Sequence, residues 1–208
     1  MSIVAINLMA VGRPADGLDL AEEALSLAEH VGAPSVIAIA ANALSGALVD
    51  TDSERAAALA DQFLTNALSI GADLGVSLAL GALGRSGQHA EDPLWATRYR
   101  EVLDRTFEAG DLRLVLVQLD MYGQVLARIG RCEASAVLYG TIRLDSQHLD
   151  NPVSMSRRDA QLARIASALG DDRARELVAE GERLQIADAI RIAREELDRV
   201  IQGSGAEA

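Results

Sequence analysis

The chain has 208 residues, half of them hydrophobic but only 3% aromatic, with a formal net charge of −12 and an isoelectric point near 4.6. That acidity opposes a nucleic-acid partner, whose affinity rests on clustered positive charge, and the absence of lysine among the 19 basic residues excludes a Walker A loop. The apolar content is Ala, Leu, Ile and Val in long runs shared with Arg and Glu, all compatible with helix, so the expected fold class is all-α.

The first residues, MSIVAINLMAVGR, are apolar but lack the basic n-region and cleavage site of a signal peptide, and they are too short to span a bilayer. A cytoplasmic chain with no membrane partner is expected. A helix over about 16–31 follows, apolar at Ala21, Ala24, Leu25, Ala28 and Val31, and Gly32 ends it in a left-handed conformation. A second, more uniformly apolar helix covers about 34–49. The same pair recurs as 53–70 and 73–87 around Gly71, and as 93–109 and 112–128 around Gly110. Thr51 with Glu54 fits a capping box, Asp92 precedes a proline at the first helical position, and Asp111 stands ready to cap the helix after Gly110. Residues 84–92, GRSGQHAED, read as a longer polar loop.

Gly32, Gly71 and Gly110 are spaced 39 residues apart, and other positions share the register: Leu25, Leu64 and Leu103; Ile37, Val76 and Val115; Ile39, Leu78 and Val117. Paired helices at this period predict a right-handed α-solenoid of tetratricopeptide-like units, longer than the standard repeat of about 34 residues. In that register IVAINLMA is the second helix of a unit whose first helix is missing. An open apolar end of this kind implies either a longer parent protein or a homodimer formed through residues 1–11. After Gly130 the register is lost. Helices are expected at 132–147 and 152–169, from a cap at Asp171 or Asp172 to Glu180, and at 186–201, with Gly170 and Gly181 as breaks. The last helix would cover the open end of the third unit with Ile186, Ala189, Ile190 and Ala193. The expected organisation is repeats over 1–130, a helical cap over 131–201 and a disordered tail over 202–208, all in one structural domain.

The C-terminal quarter carries Leu138-Tyr139-Gly140, then Ala168-Leu169-Gly170, and eleven residues later Ala179-Glu180-Gly181, followed by Leu184, Ile186, Asp188-Ala189-Ile190 and Ala193. This order resembles the closing pattern L-x-G-A-A, A-L-G, A-E-G-R-x-L-S-x-E-E-A-V-x-x-A of the MalT-like, tetratricopeptide-like region of bacterial LuxR-type and adenylate-cyclase-type signal-transducing ATPase regulators. Ala174 and Val178 stand where that family often has aromatics, the arginine is displaced to Arg183, and Gln185 replaces a capping serine. The resemblance implies a helical-repeat module that binds protein domains of the parent regulator or a small effector. The family's ATPase, cyclase and helix-turn-helix motifs are absent from these residues, so neither hydrolysis nor DNA binding carries over.

No catalytic, metal or cofactor-binding set emerges, and a non-enzymatic role is expected. His30, His89 and His148 lack partners at ligand spacing, and the lone Cys132 forms neither a disulfide nor a thiolate zinc site. Gly75-Val76-Ser77-Leu78-Ala79 lacks the closing glycine of a nucleophile elbow and lies within a helix. The candidate partner surface combines Trp95, Arg98 and Arg100, residue types that dominate interface hot spots, with equivalent non-core positions of the first helices: Glu22, Asp61 and Arg100, then Ser26, Thr65 and Asp104; for Trp95 the alternative is packing over the 84–92 loop. Their variety argues for a surface that differs from unit to unit. The rival expectation is a stand-alone structural or homo-oligomerisation protein.

Overall fold

The computed structural model describes residues 1–10, 12–49, 51–86, 92–143 and 152–203. Every regular element among them is an α-helix. The chain divides into two compact units, Met1–Gln88 and His89–Ala208.

The first unit contains α1 (Ser2–Ala10), α2 (Pro14–Val31), α3 (Pro34–Leu48), α4 (Ser53–Ser69) and α5 (Asp73–Ser86). Each helix packs on the next, and α3 also packs on both α1 and α5, so these three share one layer and α2 and α4 form the other. Alanine sets the spacing. Ala21, Ala24 and Ala28 of α2, Ala40, Ala41 and Ala43 of α3, and Ala56, Ala57 and Ala60 of α4 are all buried. Such short side chains let helix axes approach toward the near end of the usual range of about 8–10 Å. The approach is close enough for the Ser45 hydroxyl of α3 to donate to the Ala56 carbonyl of α4 at 2.8 Å. A Cβ added at Gly75 of α5 would lie 3.0 Å from that of Ala67 in α4.

Gly32 and Gly71 end α2 and α4 with φ of 72° and 65°, in the left-handed region that side chains disfavour. The capping expected from Thr51 and Glu54 is corrected by the structure. Asp52 is the N-cap of α4 and accepts from the Arg55 N–H at 3.1 Å, because Asp52 stands one residue closer to the helix start. The expected loop at 84–92 is also shortened at its beginning, since residues 84–86 continue α5; residues 87–91 lie outside the described residues.

The second unit contains α6 (Pro93–Glu108), α7 (Leu112–Arg128), α8 (Cys132–Ile142), α9 (Pro152–Leu169), α10 (Asp171–Gly181) and α11 (Ile186–Gly203). Asp92 and Asp111 cap α6 and α7 through the Leu94 and Leu114 N–H groups, at 2.8 and 3.0 Å. Helix α8 sits centrally, touching α7, α9, α10 and α11, while α11 also lies on α6 and α7. The buried stripe of α11 is Ala189, Ile190, Ala193 and Leu197. The helix expected over 132–147 is helical to Ile142, and residues 144–151 lie outside the described residues. Neither Asp171 nor Asp172 is the N-cap of α10: Gly170 occupies that position, and both carboxylates sit in the first turn, where the helix dipole favours them. Before α11, the Gln185 N–H donates to the Asp188 carboxylate at 3.0 Å, the reciprocal half of a capping box.

The break expected at Gly181 is present, since α10 ends there and α11 begins at Ile186, but no left-handed turn makes it. Gly181 is the last residue of α10, buried and without positive φ. A Cβ there would lie 2.1 Å from the Val137 carbonyl oxygen of α8, and one on Gly140 would lie 2.1 Å from the Val178 carbonyl oxygen of α10. The two glycines face each other where the α8 and α10 backbones touch, and neither position has room for a side chain.

Candidate functional site

The four expected surface residues of the first unit all lie on α2 and α4. The Arg55 guanidinium donates to Glu22 at 2.7 Å and ties the two helices together, with both side chains nearly half exposed. A pair that open to water contributes about 0–1 kcal/mol. Ser26, Asp61 and Thr65 are exposed, and the Thr65 hydroxyl donates to the backbone carbonyl of Asp61 at 3.0 Å.

In the second unit, Trp95 is 3% exposed and stacks in a tilted cluster with Tyr99 and Tyr122, at centroid distances of 5.3 and 6.1 Å. Of the two roles expected for Trp95, packing holds: it lies in the core and is no surface anchor. Period explains the burial: Trp95, Tyr99, Val102 and Thr106 share the inward face of α6. Arg98 is half-buried beside them.

Arg100 and Asp104 are not free either. Arg100 Nε donates to Asp104 at 3.0 Å, and its Nη1 contacts Asp198 of α11. Asp104 accepts from Arg194 Nε and Nη2 of α11 at 2.7 and 2.6 Å. The Arg194 guanidinium also lies 5.7 Å from the centroid of the Phe107 ring. Four charges thus alternate across the α6–α11 contact as Asp198, Arg100, Asp104 and Arg194. A sequence signal for this clasp exists. Arg100-Glu101-Val102-Leu103-Asp104 and Arg194-Glu195-Glu196-Leu197-Asp198 are the same R-E-x-L-D pattern, and they pair head to tail, each arginine on the other's aspartate.

A second polar set joins α7, α8 and α9. Arg158 Nε donates to Asp120 at 2.8 Å with both side chains nearly buried, and Gln124 Nε2 donates to the other Asp120 oxygen at 3.1 Å. Gln161 Nε2 donates to Ser135 Oγ at 2.9 Å, and that hydroxyl donates to the Gly123 carbonyl at 2.6 Å. The Oε1 atoms of Gln124 and Gln161 are buried without a partner among the described residues. Each such orphan costs about 1–3 kcal/mol, and a buried ion pair returns little beyond its own desolvation.

A recess of about 220 Å³ opens between the first turn of α8 and the neighbouring helices, lined by Arg131, Cys132, Glu133, Leu169, Glu196 and Arg199. Glu196 is buried between Arg199 and Arg131, the latter at 3.7 Å. The charges of the two arginines and two glutamates cancel, and burial pushes the Cys132 thiol pKa up, away from the reactive thiolate form. His30 is exposed at the end of α2, while His89 and His148 lie outside the described residues. Among the described residues no three His, Cys, Asp or Glu side chains converge to hold a metal ion, and no helix is long and apolar enough to cross a membrane. Comparison with family models, curated proteins and solved structures gives no match.

Proposed function

We propose that the chain is a non-catalytic, tetratricopeptide-like binding and assembly module of a bacterial signal-transducing transcriptional regulator, working in the cytoplasm. Its helix pairs stack as a right-handed α-solenoid closed by a C-terminal helical cap. One observation carries this reading: Gly32, Gly71 and Gly110, spaced 39 residues apart, all adopt left-handed φ, and the next helices begin two residues later at Pro34, Asp73 and Leu112. The touching glycines Gly140 and Gly181, which fall within the MalT-like closing motif, add support. The module takes a small effector, a peptide or another domain of the regulator and reports occupancy through helix packing. Titration calorimetry against the nucleotide-binding and helix-turn-helix domains of MalT-like regulators from the same genome tests it. Micromolar or tighter binding to either supports the reading; absence of binding to both removes it.

A second reading, homo-oligomerisation through α1, is favoured by one position. Val4 is 53% exposed, whereas Ala43 and Ala82, which follow it at 39-residue steps, are buried. A partner's apolar surface would cover Val4. Light scattering discriminates: a dimer that Val4→Asp converts to monomer, with helicity unchanged, supports this reading, and a monomeric wild type rejects it.

A further inference from the structure

Helix α9 is attached to its unit by two chemically different halves. Its C-terminal half inserts Ile165, fully buried, and packs Ala166 and Leu169 around a core that includes Ala136, Ala174 and Leu177. Its N-terminal half instead turns polar side chains inward. Arg158 and Gln161, 9% and 3% exposed, reach Asp120 and Ser135. Gln161 lies directly on the α7 backbone, since a Cβ on Gly123 would stand 2.9 Å from its Nε2. Water offers each of these groups bonds as good as those made in the folded state, and it also offers partners to the orphaned acceptors of Gln124 and Gln161. Among the described side chains of residues 155–162, Leu162 is the one partly buried apolar group and Met155 is exposed, so releasing them uncovers little apolar surface, while Ile165 keeps the other half docked. Local opening is drawn from such segments, with few apolar contacts and polar groups that water satisfies.

We propose that residues 155–162 form a switch segment that opens from α7 and α8 while the apolar core of the second unit stays folded. Opening uncovers Asp120, Gln124 and Ser135 as a polar recess. The α7–α8–α9 contacts alone define this switch, whether or not the regulator reading holds.

Hydrogen exchange with mass spectrometry on the full chain tests it. The informative amides are 157–163, which have carbonyls one helical turn upstream to bond. In the wild type they are expected to exchange at least about tenfold faster than the amides within α8 and α10. The double replacement Asp120→Leu with Arg158→Met exchanges the buried ion pair for apolar contact and is expected to slow their exchange about tenfold. Asp120→Asn removes the Asp120 charge from the Arg158 guanidinium and is expected to speed it by a similar factor, with α10 and α11 unchanged. If Asp120→Asn prevents folding, Gln161→Leu is read in its place: it removes the orphan acceptor together with the Nε2 bond to Ser135, and leaves the ion pair in place, so slower exchange supports the proposal and unchanged or faster exchange opposes it. Wild-type amides 157–163 as protected as those of α8, or a double variant that exchanges no more slowly, overturns the proposal.

Discussion

Glycine serves two physical purposes in this chain, and substitution separates them. At Gly71 the backbone is left-handed but nothing lies within 4 Å of an added Cβ, so Gly71→Ala meets only conformational strain, about 1–2 kcal/mol. At Gly181 the backbone is ordinary, but the added carbon would lie 2.1 Å from a carbonyl oxygen. Relief there requires α8 and α10 to separate, and Gly181→Ala is expected to cost about 3 kcal/mol or more, read from the midpoint of denaturant unfolding. An equal loss in the two variants would contradict the close-contact account. Tyr122 offers a pH test. Its hydroxyl is buried without a hydrogen-bond partner among the described residues, and burial, reinforced by the negative charge of Glu196, pushes its pKa up. The unfolded tyrosine ionises near pH 10 while the folded one stays neutral, so its contribution is fully present below about pH 10 and is lost as pH rises beyond it. Tyr122→Phe is expected to flatten that alkaline decline in thermal melts and to gain about 1 kcal/mol at neutral pH by removing the orphan hydroxyl.

Helices were legible in the sequence to the extent that their signals are local. The proline and aspartate starts at 92–93, the aspartate at 111 and the left-handed glycines act within one or two turns, and the helices follow them closely. Where two local signals competed, as at Thr51 and Asp52, the residue adjacent to the first turn became the cap. Contacts between elements were less legible. Arg100 and Asp104 read as an exposed groove because their α11 partners lie ninety or more residues away, and only the duplicated R-E-x-L-D pattern hinted at them. The clasp is testable: a double-mutant cycle of Asp104→Asn with Arg194→Gln should give a coupling of about 0.5–1 kcal/mol, because both side chains remain about a third exposed. Raising salt from about 0.1 M to about 1 M should reduce that coupling. A coupling indifferent to salt would mean that packing on Phe107, not charge, holds Arg194.

At the scale of the whole chain, charge and composition act directly. With a net charge of −12, the chain is expected to show no retention of duplex DNA in a gel-shift assay at about 0.15 M salt, and a retarded complex would contradict the electrostatic argument. Composition and periodicity by themselves determined that the chain is helical and which residues start, stop and line most of its helices, because propensity, capping and amphipathic spacing are decided within a few residues along the chain. Only the tertiary structure decided that Trp95 lies in an aromatic core, that Arg100 and Asp104 are spent on α11, and that Gly181, besides ending α10, lies against Gly140. The reason is one of range. A helix's inward stripe announces that something will cover it, but the choice among several alanine- and leucine-lined faces depends on shape, close backbone approach and charge register between segments distant in sequence, and these are settled only when the helices pack.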